Sequence, residues 1–342
     1  MITSLKLKIA TTLLGACLCL NFAVAQSEDF EKIVAAAKKE GLLRLYTGMV
    51  GSDATPAIAK AFQAKYGIRV EVLEVRASEL RERVRTELVA NRVLADAMWT
   101  SATQTRQFAA EDRTIQPFGA LPSLKNISDE VRQLWQSPDM HVPIFTVRYA
   151  ILINTALVKD PPKTYADLLD PKWKGKILAD DFRAAGGGST FFTVTYNKFG
   201  ADYLKRLEQN QITFTRDLRN GERRVARGEF AIFLPFTIFN LTSSQGLPVA
   251  GVVLEEGMTY TPFSVSLIRG APNPNAGKLF IDFTASLEGQ GIFATYGLAP
   301  MAQGLADKYP PVLRPFANAK MLGARDGTQD DFMFKAAKEI FK

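Results

Sequence analysis

The segment with most chemical potential is Asp180-Asp181-Phe182-Arg183-Ala184-Ala185-Gly186-Gly187-Gly188-Ser189-Thr190. Three glycines followed by two hydroxyl residues at a helix start leave several backbone N–H groups without intrahelical acceptors. Those donors and the positive end of the helix dipole make an anion site, and glycine lets an oxyanion come close to the backbone. Ser189 and Thr190 add hydroxyl donors. Arg183, four residues before Gly187, could add a guanidinium whose fork suits a carboxylate or a phosphate. From these residues alone, a strand-to-helix loop with a serine cap is an equal reading.

Other chemistries have less support. The chain has 342 residues with one His, His141, and two Cys, Cys17 and Cys19. Histidine-based metal sites and Ser-His or Cys-His catalysis are therefore poor expectations. Ser189 follows glycines but does not sit in a Gly-x-Ser-x-Gly elbow, and no His is near it to act as base. Asp180-Asp181 and Glu255-Glu256 would point to opposite faces of a strand, which weakens them as paired acid and base. The net charge of +7 is modest and spread along the chain, so it favours anionic ligands weakly and gives no nucleic-acid footprint. Hydrophobic residues at 47% and charged residues at 23% make the chain globular and large enough for two lobes.

Residues 1–25 read as a cleavable secretory signal. Lys6 and Lys8 form the basic start, Ile9 to Val24 the mostly apolar run, and Ala23-Val24-Ala25 the small-residue cleavage site. Cleavage before Gln26 would remove both cysteines and leave a periplasmic chain without disulfides. Leu14-Gly15-Ala16-Cys17 resembles a lipoprotein box, but the apolar residues after Cys17 argue for the lesser place of lipid anchoring.

The elements that must position the site alternate. Residues 30–39 have helical spacing, Leu42 to Tyr46 reads as a strand, and Pro56 to Tyr66 as a helix stopped by Gly67. Ile68 to Val75 is a second strand, and Ser78 caps a helix to Asn91 that buries Leu80, Val84 and Leu88. Ala95 to Trp99 is a third strand, ending in a loop Thr100-Ser101-Ala102-Thr103. Residues 114–143, broken by Pro117, Pro122, Pro138 and Pro143, read as irregular. Strands follow at Val147–Asn154, Ile177–Ala179, Phe230–Leu234, Val249–Leu254 and Thr261–Ile268. Gly186 to Phe199, Asn275 to Leu287 and a stretch from Asp330 read as helices. The rhythm predicts an α/β fold with a largely parallel sheet.

Two long blocks carry a family resemblance. One is Asn154-Thr155-Ala156-Leu157-Val158 with Pro162-Lys163-Thr164-Tyr165-Ala166-Asp167-Leu168-Leu169-Asp170-Pro171-Lys172-Trp173-Lys174-Gly175-Lys176-Ile177. The other runs from Asn273-Pro274-Asn275-Ala276-Gly277-Lys278 through Ser286-Leu287-Glu288-Gly289-Gln290 to Tyr296-Gly297-Leu298-Ala299-Pro300. Both resemble the type 2 periplasmic solute-binding proteins of ABC importers, in the family 1 group that includes the ferric-binding receptors. The resemblance implies a two-lobed periplasmic binding protein type II fold, with mixed sheets flanked by helices and hinged by crossing strands. Residues 26–147 and 260–300 would form lobe I and 148–259 lobe II, with 301–342 a C-terminal helical segment packing on them. It implies no catalysis, no cofactor, a small-molecule anionic ligand, and a separate ABC permease in the inner membrane, with the chain itself a monomer. An enzyme on the same fold is the alternative from a different class.

Within that implied cleft, Gly187, Gly188, Ser189 and Thr190 correspond to a turn that grips an anion, with Asp181 and Arg183 beside it. Arg148, at a presumed crossing strand, and Arg216, in a loop, are further candidate contacts. From the first lobe, Thr47, Gly48 and Ser52 in one strand-end loop, and Thr100 and Ser101 in another, would face the ligand. Ferric receptors of the group supply His and an acid from one lobe and paired tyrosines from the other, as hard Fe(III) requires. By spacing, Phe236 and Thr237 stand where the tyrosines would be, and Ser101 where the acid would be. An organic anion is thus preferred and ferric iron is the alternative, with Phe236 packing on the ligand or in the core.

Overall fold

A computed structural model describes residues 29–75, 77–110, 113–127, 131, 139–325 and 327–342. The expected signal segment with Cys17 and Cys19, together with Trp135, Pro138 and the Ser78 side chain, lies outside the described residues. In chain order the strands are β1 (Leu42–Thr47), β2 (Arg69–Glu74), β3 (Ala97–Ser101), β4 (Ile115–Gln116), β5 (Val142–Asn154), β6 (Ile177–Asp180), β7 (Thr213–Thr215), β8 (Ile232–Thr237), β9 (Val249–Val252), β10 (Met258–Ile268), β11 (Ala299–Pro300) and β12 (Met321–Ala324). Among the helices are α1 (Ala54–Tyr66), α2 (Ala77–Val89), α3 (Gly187–Glu208), α4 (Leu218–Ala226), α5 (Pro274–Ala285) and α6 (Asp330–Ile340). Among the described residues no helix is long and apolar enough to cross a membrane.

The chain partitions into two compact units. Of the described residues, the first takes those up to Trp99, those within Phe108–Val142 and Val265–Leu287; the second takes Thr100–Gln107, Pro143–Ser264 and those within Glu288–Lys342.

In the first unit β1 lies between β2 and β3, all parallel, so α1 and α2 serve as the crossovers. Gly67 ends α1 in the left-handed region at φ 71°, with its N–H on the Gln63 carbonyl. Leu80 and Val84 of α2 bury against Tyr46, Met98 and Phe108, the face their spacing predicts. Buried Asp96 ties the unit together. Its carboxylate accepts from Arg44 N at 2.7 Å and from Asn273 N at 2.6 Å, fixing β1 and the start of α5 to one point.

In the second unit β6 lies between β7 and β8, all parallel, and β5 runs antiparallel to β8 and β9. The C-terminal ends of β6, β7 and β8 therefore share one edge, from which α3 departs. The Pro162–Ile177 block is scaffold for this sheet. Asp167 accepts from the N–H groups of Lys163 and Thr164 at 2.8 and 2.9 Å, and Trp173 Nε1 donates to the Asp167 carbonyl at 2.9 Å. One core cluster gathers Tyr165, Phe182, Phe191 and Phe192 with Met333, Ala337 and Phe341 from the C-terminus. A second gathers Leu152, Phe233, Phe236, Leu313 and Phe316.

Several elements differ from expectation. Thr100 and Ser101 complete β3 and a helix over Ala102–Ala110 follows at once, so the expected loop is absent. Pro143 falls at the second position of β5, near the strand start, where a missing N–H is tolerated. α4 escaped the periodicity because only Gly221 and Val225 of it are buried. Gly221 is small because a Cβ there would meet Phe233 and Thr215 at 3.1 Å. Residues 301–342 are not only helical: β12 pairs parallel with β10 before α6 begins. Within α3 the helical path breaks at Gly200 (φ 81°), one residue after the expected end at Phe199, and resumes to Glu208.

Candidate functional site

β6 delivers Asp180 to the shared edge, and the chain enters α3 seven residues beyond it, at Gly187. Gly188 passes so close to β6 that a Cβ would lie 2.5 Å from the Asp180 carbonyl oxygen and 2.7 Å from that of Asp181. Only glycine fits there. Its N–H donates to Asp180 Oδ2 at 2.6 Å, so the protein places a carboxylate of its own at the helix start. Ser189 Oγ accepts the Gly186 N–H at 3.1 Å and donates to the Gly186 carbonyl at 3.0 Å. Thr190 N–H opens the helical ladder, bonding to the Gly186 carbonyl at 3.2 Å. The first-turn N–H groups of Gly187 and Ser189 keep no intrahelical acceptor.

Hydroxyls surround this turn. Thr190 Oγ1 lies 3.2 Å from Thr261 Oγ1, which lies 3.1 Å from the Tyr149 hydroxyl. The Tyr149 ring covers Gly187: a Cβ there would sit 2.9 Å from ring carbon Cε1. Burial pushes the Tyr149 phenol up to about 12, so it stays a neutral donor. Arg325 Nη1 donates to Ser189 Oγ at 2.5 Å.

Two carboxylates set the local charge. Burial pushes Asp180 up to about 6, against the Gly188 N–H and the Arg216 charge, which favour its ionised form. For Asp181, burial also pushes upward, but hydrogen bonds and charge from Arg183, helped by Arg216, outweigh it and hold the group below the ordinary carboxylate value.

The expected residues divide by where the fold puts them. Gly187, Gly188, Ser189 and Thr190 assemble at the α3 start, with Asp181 in the preceding loop. Exposed Arg216 follows β7, and its charge acts on both Asp180 and Asp181. Thr237 ends β8 opposite Tyr149 in register. Three candidates are otherwise engaged. Arg183 donates to Asp181 through Nε at 2.8 Å and lies over the Phe214 ring at 4.8 Å. Arg148 donates through Nη1 to the carbonyls of Phe316 and Ala317 at 3.1 and 2.7 Å. Phe236 has no exposed surface, so of its two expected packings the core is the one observed. Thr47 and Gly48 lie in the first unit; Thr47 Oγ1 accepts from Met49 N at 3.0 Å and Gly48 N donates to the Trp99 carbonyl at 3.2 Å. Ser52, also in that unit, caps a tight turn with its N–H on the Met49 carbonyl. Thr100 donates to Gln104 Oε1, and Ser101 Oγ accepts from Gln104 N.

Sequence reasoning missed Tyr149, Thr261 and Arg325 as site residues, and weighed Asp180 only as half of a catalytic acid pair. For Tyr149 a signal existed: on a strand, neighbours point to opposite faces, so Arg148 and Tyr149 could not both face the site. Thr261 and Arg325 meet the glycine turn through strand pairing. Among the described residues no group of three or more His, Cys, Asp or Glu side chains could hold a metal ion.

Residues 43–299 match the family model described as bacterial extracellular solute-binding protein. An uncharacterized protein of Haemophilus influenzae is 27% identical over 329 residues, covering 91% of this chain and 89% of that one. A Salmonella typhimurium periplasmic protein, provisionally named for 2-aminoethylphosphonate binding, is 24% identical over 67% of this chain and 68% of its own. Among solved structures, the apo ferric ion-binding protein A of Pasteurella haemolytica superposes with a TM-score of 0.74 at 16% identity, over 88% of this chain and 98% of that one. That structural likeness speaks to the fold alone, the mixed α/β class.

Proposed function

The chain belongs to the bacterial extracellular solute-binding proteins, and from that membership we propose that it is the substrate-binding component of an ABC importer, capturing a small organic anion. A carboxylate, a phosphonate or a phosphorylated metabolite fits the reading. The chain would be exported through its N-terminal segment, act in the periplasm as a monomer, close its lobes on the ligand and hand it to a membrane permease. Its role is retention, not turnover.

One observation carries the choice of ligand: the α3 start, where the N–H groups of Gly187 and Ser189 lie among the hydroxyls of Thr190, Thr261 and Tyr149 and beside Arg325. Amide donors at a helix start and a neighbouring guanidinium select negative charge. The phosphonate named for the Salmonella relative is of this chemical class. Iron has weaker support, since the fully buried Phe236 offers no oxygen where the resemblance places a metal ligand.

Mass spectrometry of small molecules released by denaturing freshly purified protein tests the reading. A stoichiometric organic anion is expected. Ferric iron with a visible charge-transfer band, or turnover of the released compound on incubation, would replace it.

A further inference from the structure

We propose that Arg325 supplies the guanidinium that grips the ligand's acid group and so sets the site's preference for two-oxygen anions. This inference rests on the anion reading of the α3 start.

Strand register puts Arg325 there. β12 runs parallel to β10 with Thr259 opposite Gly323 and Tyr260 opposite Ala324. The next residue along β10 is Thr261, which reaches Thr190 and Tyr149; the next along the other strand is Arg325. The Arg325 carbonyl accepts from Thr103 Oγ1 at 3.4 Å, a second hold on its backbone.

The side chain is braced as well. Nη1 donates to Ser189 Oγ at 2.5 Å, Nε lies 3.4 Å from Asp330 Oδ1, and the guanidinium sits 5.8 Å from the Phe334 ring centroid. These supports restrain the guanidinium, while Nη2 makes no hydrogen bond among the described residues. With 13% of the side chain exposed, the charge acts in a partly dry setting where solvent screens it weakly. Ser189 Oγ holds Nη1 next to the Ser189 N–H, so one acid group can take an amide hydrogen with one oxygen and the guanidinium with another.

The other arginines considered are worse placed. Arg183 is engaged by Asp181, Arg148 by two backbone carbonyls, and Arg216 is solvent-exposed. Arg216 would steer an anion by long-range charge, whereas Arg325 would hold it by geometry.

Isothermal titration of ligand-free protein with inorganic phosphate, 2-aminoethylphosphonate, fructose-6-phosphate and citrate tests this, using wild type, Arg325→Lys and Arg325→Gln, each checked for cooperative melting. Wild type is expected to bind at least one probe. Arg325→Gln should lose about 100-fold in affinity and Arg325→Lys about tenfold, because an ammonium keeps the charge but not the fork. Both variants binding within threefold of wild type would overturn the Arg325 assignment and leave the anion reading standing. Wild type binding none of the probes would overturn both. Should Arg325→Gln fail to melt cooperatively, Arg325→Lys decides: a tenfold loss supports the assignment, and unchanged affinity overturns it.

Discussion

Asp180→Asn isolates the carboxylate that the protein keeps at its own anion site. Asparagine retains a carbonyl oxygen for the Gly188 N–H, so the 2.6 Å hydrogen bond has a successor and the turn keeps its shape. Only the charge goes. In the folded chain Asp180 binds its proton more tightly than in the unfolded chain, since burial raises it from 3.8 to about 6. Its contribution to stability is thus fully present below about pH 4 and is lost as pH rises through 6. At ~1.4 kcal/mol for each tenfold change in proton affinity, that loss is about 3 kcal/mol by pH 7. Asp96, Asp282 and Glu222 are raised by burial too, so the wild-type profile alone is a sum. The difference between wild type and Asp180→Asn removes their share. Urea unfolding at pH steps from 4 to 7.5 should show the variant gaining on wild type by about 3 kcal/mol, an upper figure given Arg216 nearby. The same removal of charge should strengthen anion binding at pH 7, with the ratio of variant to wild-type affinity falling towards one below pH 5. Stability curves that stay parallel across this range would refute the assignment of a buried, proton-holding carboxylate.

Gly188→Ala should cost about 2 kcal/mol or more in unfolding free energy and abolish anion binding, because the new methyl would meet two backbone carbonyls that cannot retreat. Phe236→Ala should cost about 3–5 kcal/mol by chemical denaturation, while the folded fraction keeps its ligand preference, as expected of a core ring. Arg216→Gln should weaken anion binding several-fold in low salt, and the deficit should shrink at 0.5 M salt because an exposed charge is screened.

The parts legible in the sequence were those set by neighbours along the chain. The stop at Gly67, the buried face of α2 and the glycine entry to α3 each follow from a few adjacent residues. Even the break in α3 was visible, since Gly200 follows the last residue of the expected helix. α4 was not legible: its packing face is Leu218, Gly221 and Val225, and the middle residue is a glycine against Phe233. Arg183 lies four residues from Gly187 but only two from Asp181, and a carboxylate at that range takes the guanidinium first. Arg325 was invisible for a different reason. It reaches Ser189 across 136 positions of sequence, through the pairing of β10 with β12 and the approach of Gly323 in β12 to Val194 in α3.

The most direct measurement is a structure of the protein with its co-purified ligand. An acid group with oxygens about 3 Å from the N–H groups of Gly187 and Ser189 and from the Arg325 guanidinium is the predicted result. A ligand bound elsewhere, with that glycine turn facing only solvent, would contradict it.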